Sequence, residues 1–304
     1  MDLILHHFNL SPFAEKVRLM FGIKRLSWRS VIIPMIMPKP ALTALTGGYR
    51  KTPVLQIGAD VYCDSKRIAM ELESRFPDPS LFRGGQPGFS LALGAWSDRA
   101  FFEPGAGLSM ALNRTGLPQE VIADRKAFFN FMDFETLDEN IPHLSAQLRA
   151  QASLLEAQLS DGRDFVFGSQ PELADILAYF PVWMSRGHVP SADAILRGFT
   201  RLSAWERRMA AIGEGRREEM PASEAHLIAR RSVPSEGQGI DPNDALGLRV
   251  GERVAVAADD YGRDPVVGEL VTLQTNEVAI RRSAAEVGTV VVHFPRIGYR
   301  IISA

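Results

Sequence analysis

Two serines stand where a hydroxyl group can do chemistry. Ser11 follows a short, nearly continuous apolar run (residues 2–8, DLILHHF) and is followed by Pro12. Serine is a good helix cap, and proline suits the first helical position. Asp64 and Ser65 precede a second helical pattern, and either can cap it. Between these two points lie Lys39 and Lys51, each of which, taken singly, reads as a solvated lysine. Residues 1–87 carry 12 basic and 7 acidic groups, a net of +5, although the whole chain is at -2. An anionic ligand would therefore bind nearer the N-terminus than elsewhere, unless the charges are merely scattered in solvent.

Other chemistries lack the residues they need. His6 and His7 are neighbours on a strand and face opposite sides, so they do not chelate one ion. His143, His188, His226 and His293 show no ligand spacing, and no metal is expected. No G-x-G-x-x-G or Walker loop occurs. Cys63 is the only cysteine, which excludes an internal disulfide, a C-x-x-C redox pair and a multi-thiolate zinc site. It lies on a buried-strand pattern and reads as a small core residue. No apolar run reaches the ~20 residues of a membrane span, and the first residues lack a signal-peptide pattern. A cytoplasmic protein is expected. The near-zero net charge argues against bulk nucleic-acid binding.

The elements that must position these residues follow from periodicity. Residues 2–8 suit a buried strand. Residues 10–22 suit a helix with Phe13, Val17, Met20 and Phe21 on one face and Gly22 as its end. Residues 28–33 suit a strand parallel to the first. Residues 54–57 and 61–63 read as a hairpin, followed by a helix with Ile68, Ala69 and Leu72 on its apolar face, stopped by Pro77. The order βαβ then ββα is that of a thioredoxin-like α/β domain, assigned to residues 1–82. A linker is expected at 83–88, then an all-α bundle over 88–215. Within the bundle the helix of residues 89–112 should kink at Pro104, Gly105 and Gly107. Residues 213–243 are polar and rich in Gly, Pro, Ser and Arg, which reads as a tether (216–243) holding at most a short helix at 222–230. Five short β-rich runs from 253 to 302 suggest a small all-β domain over 244–304, an SH3-like barrel.

Three stretches resemble the glutathione transferase family. They are SPFAEKVR (11–18), TPVL (52–55) with Asp64-Ser65 nine residues on, and FVFGSQPELADIL (165–177). The likeness covers about residues 1–215. It implies that Ser11 faces the thiol of glutathione, the co-substrate, and stabilises its thiolate. A free thiol has a pKa of ~8.5, and lowering it by ~2 units needs ~2.7 kcal/mol of differential stabilisation. A hydroxyl donor at the positive end of a helix can supply that. The resemblance also implies a cis Pro53 that presents the backbone of Thr52 to an extended peptide. Asp64 and Ser65 would hold the γ-glutamyl end, and Lys39 or Lys51 the glycyl carboxylate. Phe13, Trp96, Phe101 and Phe102 would line the pocket for an apolar electrophile, against the alternative that they are simply core. Asp175 resembles the family's capping aspartate, with Glu172 at a cap usually held by Ser or Thr. A homodimer is implied. The expected activity is transfer of an alkyl or aryl group to glutathione. The alternative is a non-catalytic binding protein whose C-terminal barrel recruits a partner, and a third reading folds that barrel back as a lid.

Overall fold

The computed structural model describes residues 2–83 and 87–304; three of the residues expected to form a linker, 84–86, fall outside it. The elements in chain order are β1 (Ile4–His7), α1 (Pro12–Ile23), β2 (Ser27–Ile32), α2 (Pro40–Thr46), β3 (Val54–Ile57), β4 (Asp60–Cys63) and α3 (Ser65–Arg75). Helices α4 (Pro87–Trp96), α5 (Phe102–Asn113), α6 (Gln119–Phe128), α7 (Ile141–Gln158), α8 (Leu173–His188), α9 (Ala192–Ile195) and α10 (Thr200–Ala210) follow. The chain ends with β5 (Arg216–Glu219), α11 (Ala222–Arg231), β6 (Gly239–Ile240), β7 (Arg253–Ala258), β8 (Val266–Leu273), β9 (Glu277–Ala284), β10 (Gly288–Pro295) and β11 (Tyr299–Ser303). The chain divides into two compact units, one of Met1–Val17, Ser27–Leu72 and Arg216–Ala304, the other of Arg18–Leu26 and Glu73–Gly215.

The first unit is built on one sheet in the order β11-β7-β8-β9-β10-β4-β3-β1-β2-β5, with β6 beside β8. Strand β1 pairs parallel with β2 and antiparallel with β3, and β3 pairs antiparallel with β4. That mixed core is the expected thioredoxin-like arrangement. The C-terminal strands form where the turn spacing places them. They pair in the order β11-β7-β8-β9-β10, and β10 also pairs parallel with β4, Val292 opposite Val61 and His293 opposite Tyr62. The reason is physical: β4 alone would be an edge with unpaired N–H and C=O groups, and β10 satisfies them. Side chains follow the backbone. Leu42, Leu45, Tyr49, Val54 and Cys63 lie in the same buried cluster as Val254, Val292, Phe294 and Tyr299. Burying a side chain of this size contributes about 1.5–3 kcal/mol, so the last strands are part of the first unit's own core.

The expected tether is also structured. The four residues of β5 are RREE, yet they pair with β2, Ser27 opposite Arg216. A strand at a sheet edge needs only backbone groups to pair, so its polar side chains gave no periodic signal. Helix α11 is anchored by Gln56 Nε2, which donates to Ala225 O at 2.8 Å, and by His226 Nε2, 2.8 Å from Ala41 O.

The second unit is the expected helical bundle. The irregularity near Pro104 falls earlier than predicted, as a π-turn over Ser97–Phe101. Pro104 has no N–H for the carbonyl four residues before it, so the ladder is disturbed on its N-terminal side. Gly105 serves packing: a Cβ there would lie 2.7 Å from Met184 Cε and Ser185 Oγ on α8. Gly22 likewise does not end α1, which runs to Ile23 before Arg25 turns at φ 54°. A Cβ on Gly22 would collide with the carbonyl of Gly213, so that close approach is what requires glycine. Asp175 is fully buried at the third position of α8. Its Oδ1 accepts from Val166 N (2.8 Å) and Trp205 Nε1 (2.9 Å), and Oδ2 from Glu172 N (3.1 Å). Burial pushes its carboxyl up to about 6, against the pull of those three donors. Glu172 is the N-cap residue, as its place in the sequence suggests.

Candidate functional site

Ser11 is buried at the start of α1. Its backbone N–H donates to Phe8 O at 3.1 Å, which closes the turn out of β1. Its Oγ accepts from the N–H of Ala14 at 3.2 Å, so the serine does cap the helix. A hydroxyl has one proton and two lone pairs. Capping uses a lone pair and leaves the proton for another acceptor at the electropositive helix end. The two readings of Ser11 are therefore compatible. Phe13, the first unit's member of the expected electrophile pocket, is half-buried one turn position on.

The Thr52–Pro53 peptide is cis. Thr52 lies two residues before the start of β3, and its Oγ1 accepts from Lys39 Nζ at 3.0 Å. Lys39 also donates to the carbonyl of Arg50 at 3.0 Å. Lys39 is only 4 % exposed, so the solvated reading fails for it: its ammonium is satisfied inside the fold. That reading fails for Lys51 too. Its Nζ lies 2.5 Å from Asp260 Oδ1 and 4.4 Å from the centre of the Tyr261 ring. Arg50 faces Asp264 at 3.9 Å. Both acids lie in the turn between β7 and β8.

Asp64 sits at φ 74°, a left-handed conformation uncommon outside glycine and asparagine. Its Oδ1 accepts from Lys66 N at 2.9 Å and its carbonyl from Ile68 N at 3.0 Å, so Asp64 caps α3. Its Oδ2 accepts from the hydroxyl of Tyr299 at 3.1 Å, and the Tyr49 hydroxyl lies 2.8 Å from that of Tyr299. Since Tyr299 gives its proton to Asp64, Tyr49 donates to Tyr299. Burial pushes both phenols well above their usual range, so they act as neutral donors. The neighbouring Ser65 is buried, and its hydroxyl makes no hydrogen bond among the described residues. Cys63 is buried and its thiol is pushed up, first by burial and then by the Asp64 charge, which leaves no thiolate there.

One charged cluster escaped the sequence reading. His293 on β10 holds Glu277 Oε1 at 2.6 Å through Nδ1 and Asp60 Oδ1 at 3.0 Å through Nε2. Its ring stacks on Tyr62 at 4.5 Å. Arg67 joins from α3, 3.1 Å from Glu277 and 2.7 Å from Glu71. Burial alone would lower the imidazole's pKa, but the two carboxylates outweigh it and raise the pKa. Asp60 and Glu277 are correspondingly held below the usual carboxylate range despite burial. No grouping of three or more His, Cys, Asp or Glu suited to a metal is found among the described residues. His6 and His7 bond separate partners, Gln56 and Ser30, at 2.9 and 3.0 Å, and burial lowers His6 to about 4.

The remaining pocket candidates belong to the second unit. Trp96 is half-buried and donates from Nε1 to Gln151 at 2.7 Å. Phe101 and Phe102 are buried, and Phe102 lies 6.0–6.4 Å from Phe180, Phe131 and Phe129. Nothing local in the sequence marks Asp260 or Tyr299, whose partners lie 209 and 235 residues away.

Comparison with known proteins gives a consistent result. The family model for the glutathione S-transferase N-terminal domain matches residues 5–80, and that for the C-terminal domain matches residues 120–212. A GST-like protein from Pseudomonas syringae is 37 % identical over 99 % of this chain and 100 % of its own, with a TM-score of 0.81. That match takes in the C-terminal strands as well. A glutathione S-transferase from Rhodospirillum rubrum F11 is 26 % identical over 69 % of this chain and 88 % of its own (TM-score 0.51). FzlA from C. crescentus shares the fold at 24 % identity over 69 % of this chain and 88 % of its own (TM-score 0.51). No curated protein sequence matches the chain.

Proposed function

The chain belongs to the glutathione S-transferase family, and from that premise we propose that it binds glutathione or a close γ-glutamyl thiol in its first unit. Ser11 then stabilises the thiolate and directs it at an apolar electrophile. The observation that carries this reading is the state of Ser11: its lone pair caps α1 and its proton is left over. The thiol loses its proton to solvent, the sulfur forms a bond to the electrophilic carbon, and the leaving group departs with its electron pair, as chloride from a chloroarene. Thr52, beside the cis Pro53, would pair its backbone with the ligand's cysteinyl residue. Ser65 and the start of α3 would take the γ-glutamyl carboxylate, and Asp64 the α-ammonium. Phe13, half-buried beside Ser11 in the first unit, would face the electrophile, whereas Phe101 and Phe102 are buried in the bundle core and line no open surface.

The test is Ser11→Ala with glutathione and a chlorodinitrobenzene-type acceptor. A thiol pKa lowered from ~8.5 by ~2 units multiplies thiolate at pH 7 by about 25, so kcat/KM should fall by about that factor. The rising limb of its pH profile should move up toward ~8.5, and Ser11→Thr should restore most of the rate. Unchanged activity and an unchanged profile in Ser11→Ala would refute the role. A binding protein without catalysis is the second reading. The pairing of Lys51 with Asp260 favours it to the extent that free glutathione finds no cation for its glycyl end.

A further inference from the structure

We propose that Asp260 stands in for the terminal carboxylate of the thiol ligand, so that the site selects a γ-glutamyl thiol whose terminal carboxylate is neutralised as an amide or ester. This rests on the reading of the first unit as a γ-glutamyl thiol site. Three cations flank the Thr52–Pro53 peptide, and each is engaged within the fold. Lys39 is turned onto Arg50 O and Thr52 Oγ1. Lys51 is held by Asp260 Oδ1 and by the face of Tyr261, and Arg50 faces Asp264. The acids come from one turn, residues 259–264, which the β10–β4 pairing and the shared core fix in place. The Lys51 and Asp260 side chains are 14 % and 28 % exposed, so their pairing is only partly screened by water.

The opposite end of the site differs. The Ser65 hydroxyl makes no hydrogen bond among the described residues, and it lies at the start of α3. The Asp64 carboxylate accepts one donor on each oxygen, Lys66 N on Oδ1 and the Tyr299 hydroxyl on Oδ2, and each oxygen keeps a second lone pair for an ammonium. One end can thus accept a zwitterionic γ-glutamyl group, while the other presents two carboxylates to an incoming carboxylate. A ligand with a free terminal carboxylate must displace Asp260 or face it at close range. A ligand with a neutral end meets no such repulsion and can donate its amide N–H to the acid. Selectivity here arises from a built-in repulsive group as much as from attraction.

The experiment is calorimetric titration of the full chain with glutathione and with glutathione amide, its glycyl carboxylate converted to a carboxamide. The wild type should bind the amide at least tenfold more tightly than glutathione. In Asp260→Asn, glutathione should gain about tenfold and the amide should gain nothing. Asp260→Ala should repeat that shift, since charge is the cause. A wild type that prefers glutathione, or a preference that neither variant changes, would overturn the proposal while leaving the thiol-site reading intact. Binding of neither ligand to any of the three proteins would overturn both.

Discussion

Replacing His293 with alanine tests how the C-terminal strands are held against the first sheet. The two imidazole nitrogens lie 2.6 Å from Glu277 and 3.0 Å from Asp60, and both can donate to these carboxylates only in the protonated ring, which is the form the two acids favour. Its removal leaves the buried Glu277 and the half-buried Asp60 carboxylates, and Arg67 and Ser235 remain as their partners. Breaking a buried ion pair by deleting one side costs about 3–5 kcal/mol. At about 2–4 °C per kcal/mol for a unit of this size, the melting midpoint should fall by about 6–20 °C. The pH dependence provides a sharper criterion. The folded imidazole has a pKa above the ordinary 6.5, so its contribution is complete below pH 6.5. It is lost as pH rises through the folded value. Asp60 and Glu277 have lowered values, so their share is lost only in acid, as pH falls through those values. Wild-type stability should therefore decline from pH 6.5 into the alkaline range, while His293→Ala should be nearly flat there. Urea unfolding at several pH values measures both. Equal midpoints for the two proteins at pH 6, or parallel alkaline declines, would refute the assignment of His293 as a charged clamp.

Two more predictions come from the second unit and from the family. Asp175→Asn can keep the Val166 and Trp205 bonds on one oxygen but turns an NH2 group toward the Glu172 N–H. It should cost about 1–3 kcal/mol, and Asp175→Ala should cost more. The wild-type carboxyl at about 6 stands above its unfolded value of 3.8, so its contribution is full below pH 3.8. It is lost as pH rises to about 6, and in Asp175→Asn that slope should vanish from denaturant titrations. We further expect a homodimer, with sedimentation at about twice the 33.5 kDa chain mass. A particle of the single-chain mass at micromolar concentration would contradict it.

The parts of the fold legible in the sequence are those specified by neighbours along the chain. Ser11-Pro12 marks the start of α1 because capping is local, and Asp64-Ser65 marks α3 for the same reason. The strands β7 to β11 show in their turn residues and β-branched runs. What escaped is specified by partners distant in sequence. Strand β5 carries RREE and has no apolar alternation, since its pairing with β2 uses only backbone. The β10–β4 seam joins residues more than 200 positions apart, so the continuation of the first sheet into the last strands had no local signal. Lys39 and Lys51 look solvated by type, and only the fold supplies Thr52, Arg50 O and Asp260 as their partners.

The seam also changes the meaning of the charge distribution. An excess of +5 over residues 1–87 suggests a surface awaiting an anion. In the fold, much of that excess is met from within: Lys51 by Asp260, Arg50 by Asp264 and Arg67 by Glu277. All three acids belong to the C-terminal strands and their turns, the segment whose own balance is -2. The same pairing that closes the β4 edge therefore brings negative charge beside the Thr52–Pro53 peptide. A family fold that relies on free cations at that point would bind a ligand with two anionic ends. On the proposed reading, this chain would receive one end of the ligand at Ser65 and answer the other with its own carboxylate. The added strands thereby couple stability to selectivity. A change that loosens the His293 clamp should also weaken the preference set by Asp260, because both depend on β10 remaining beside β4.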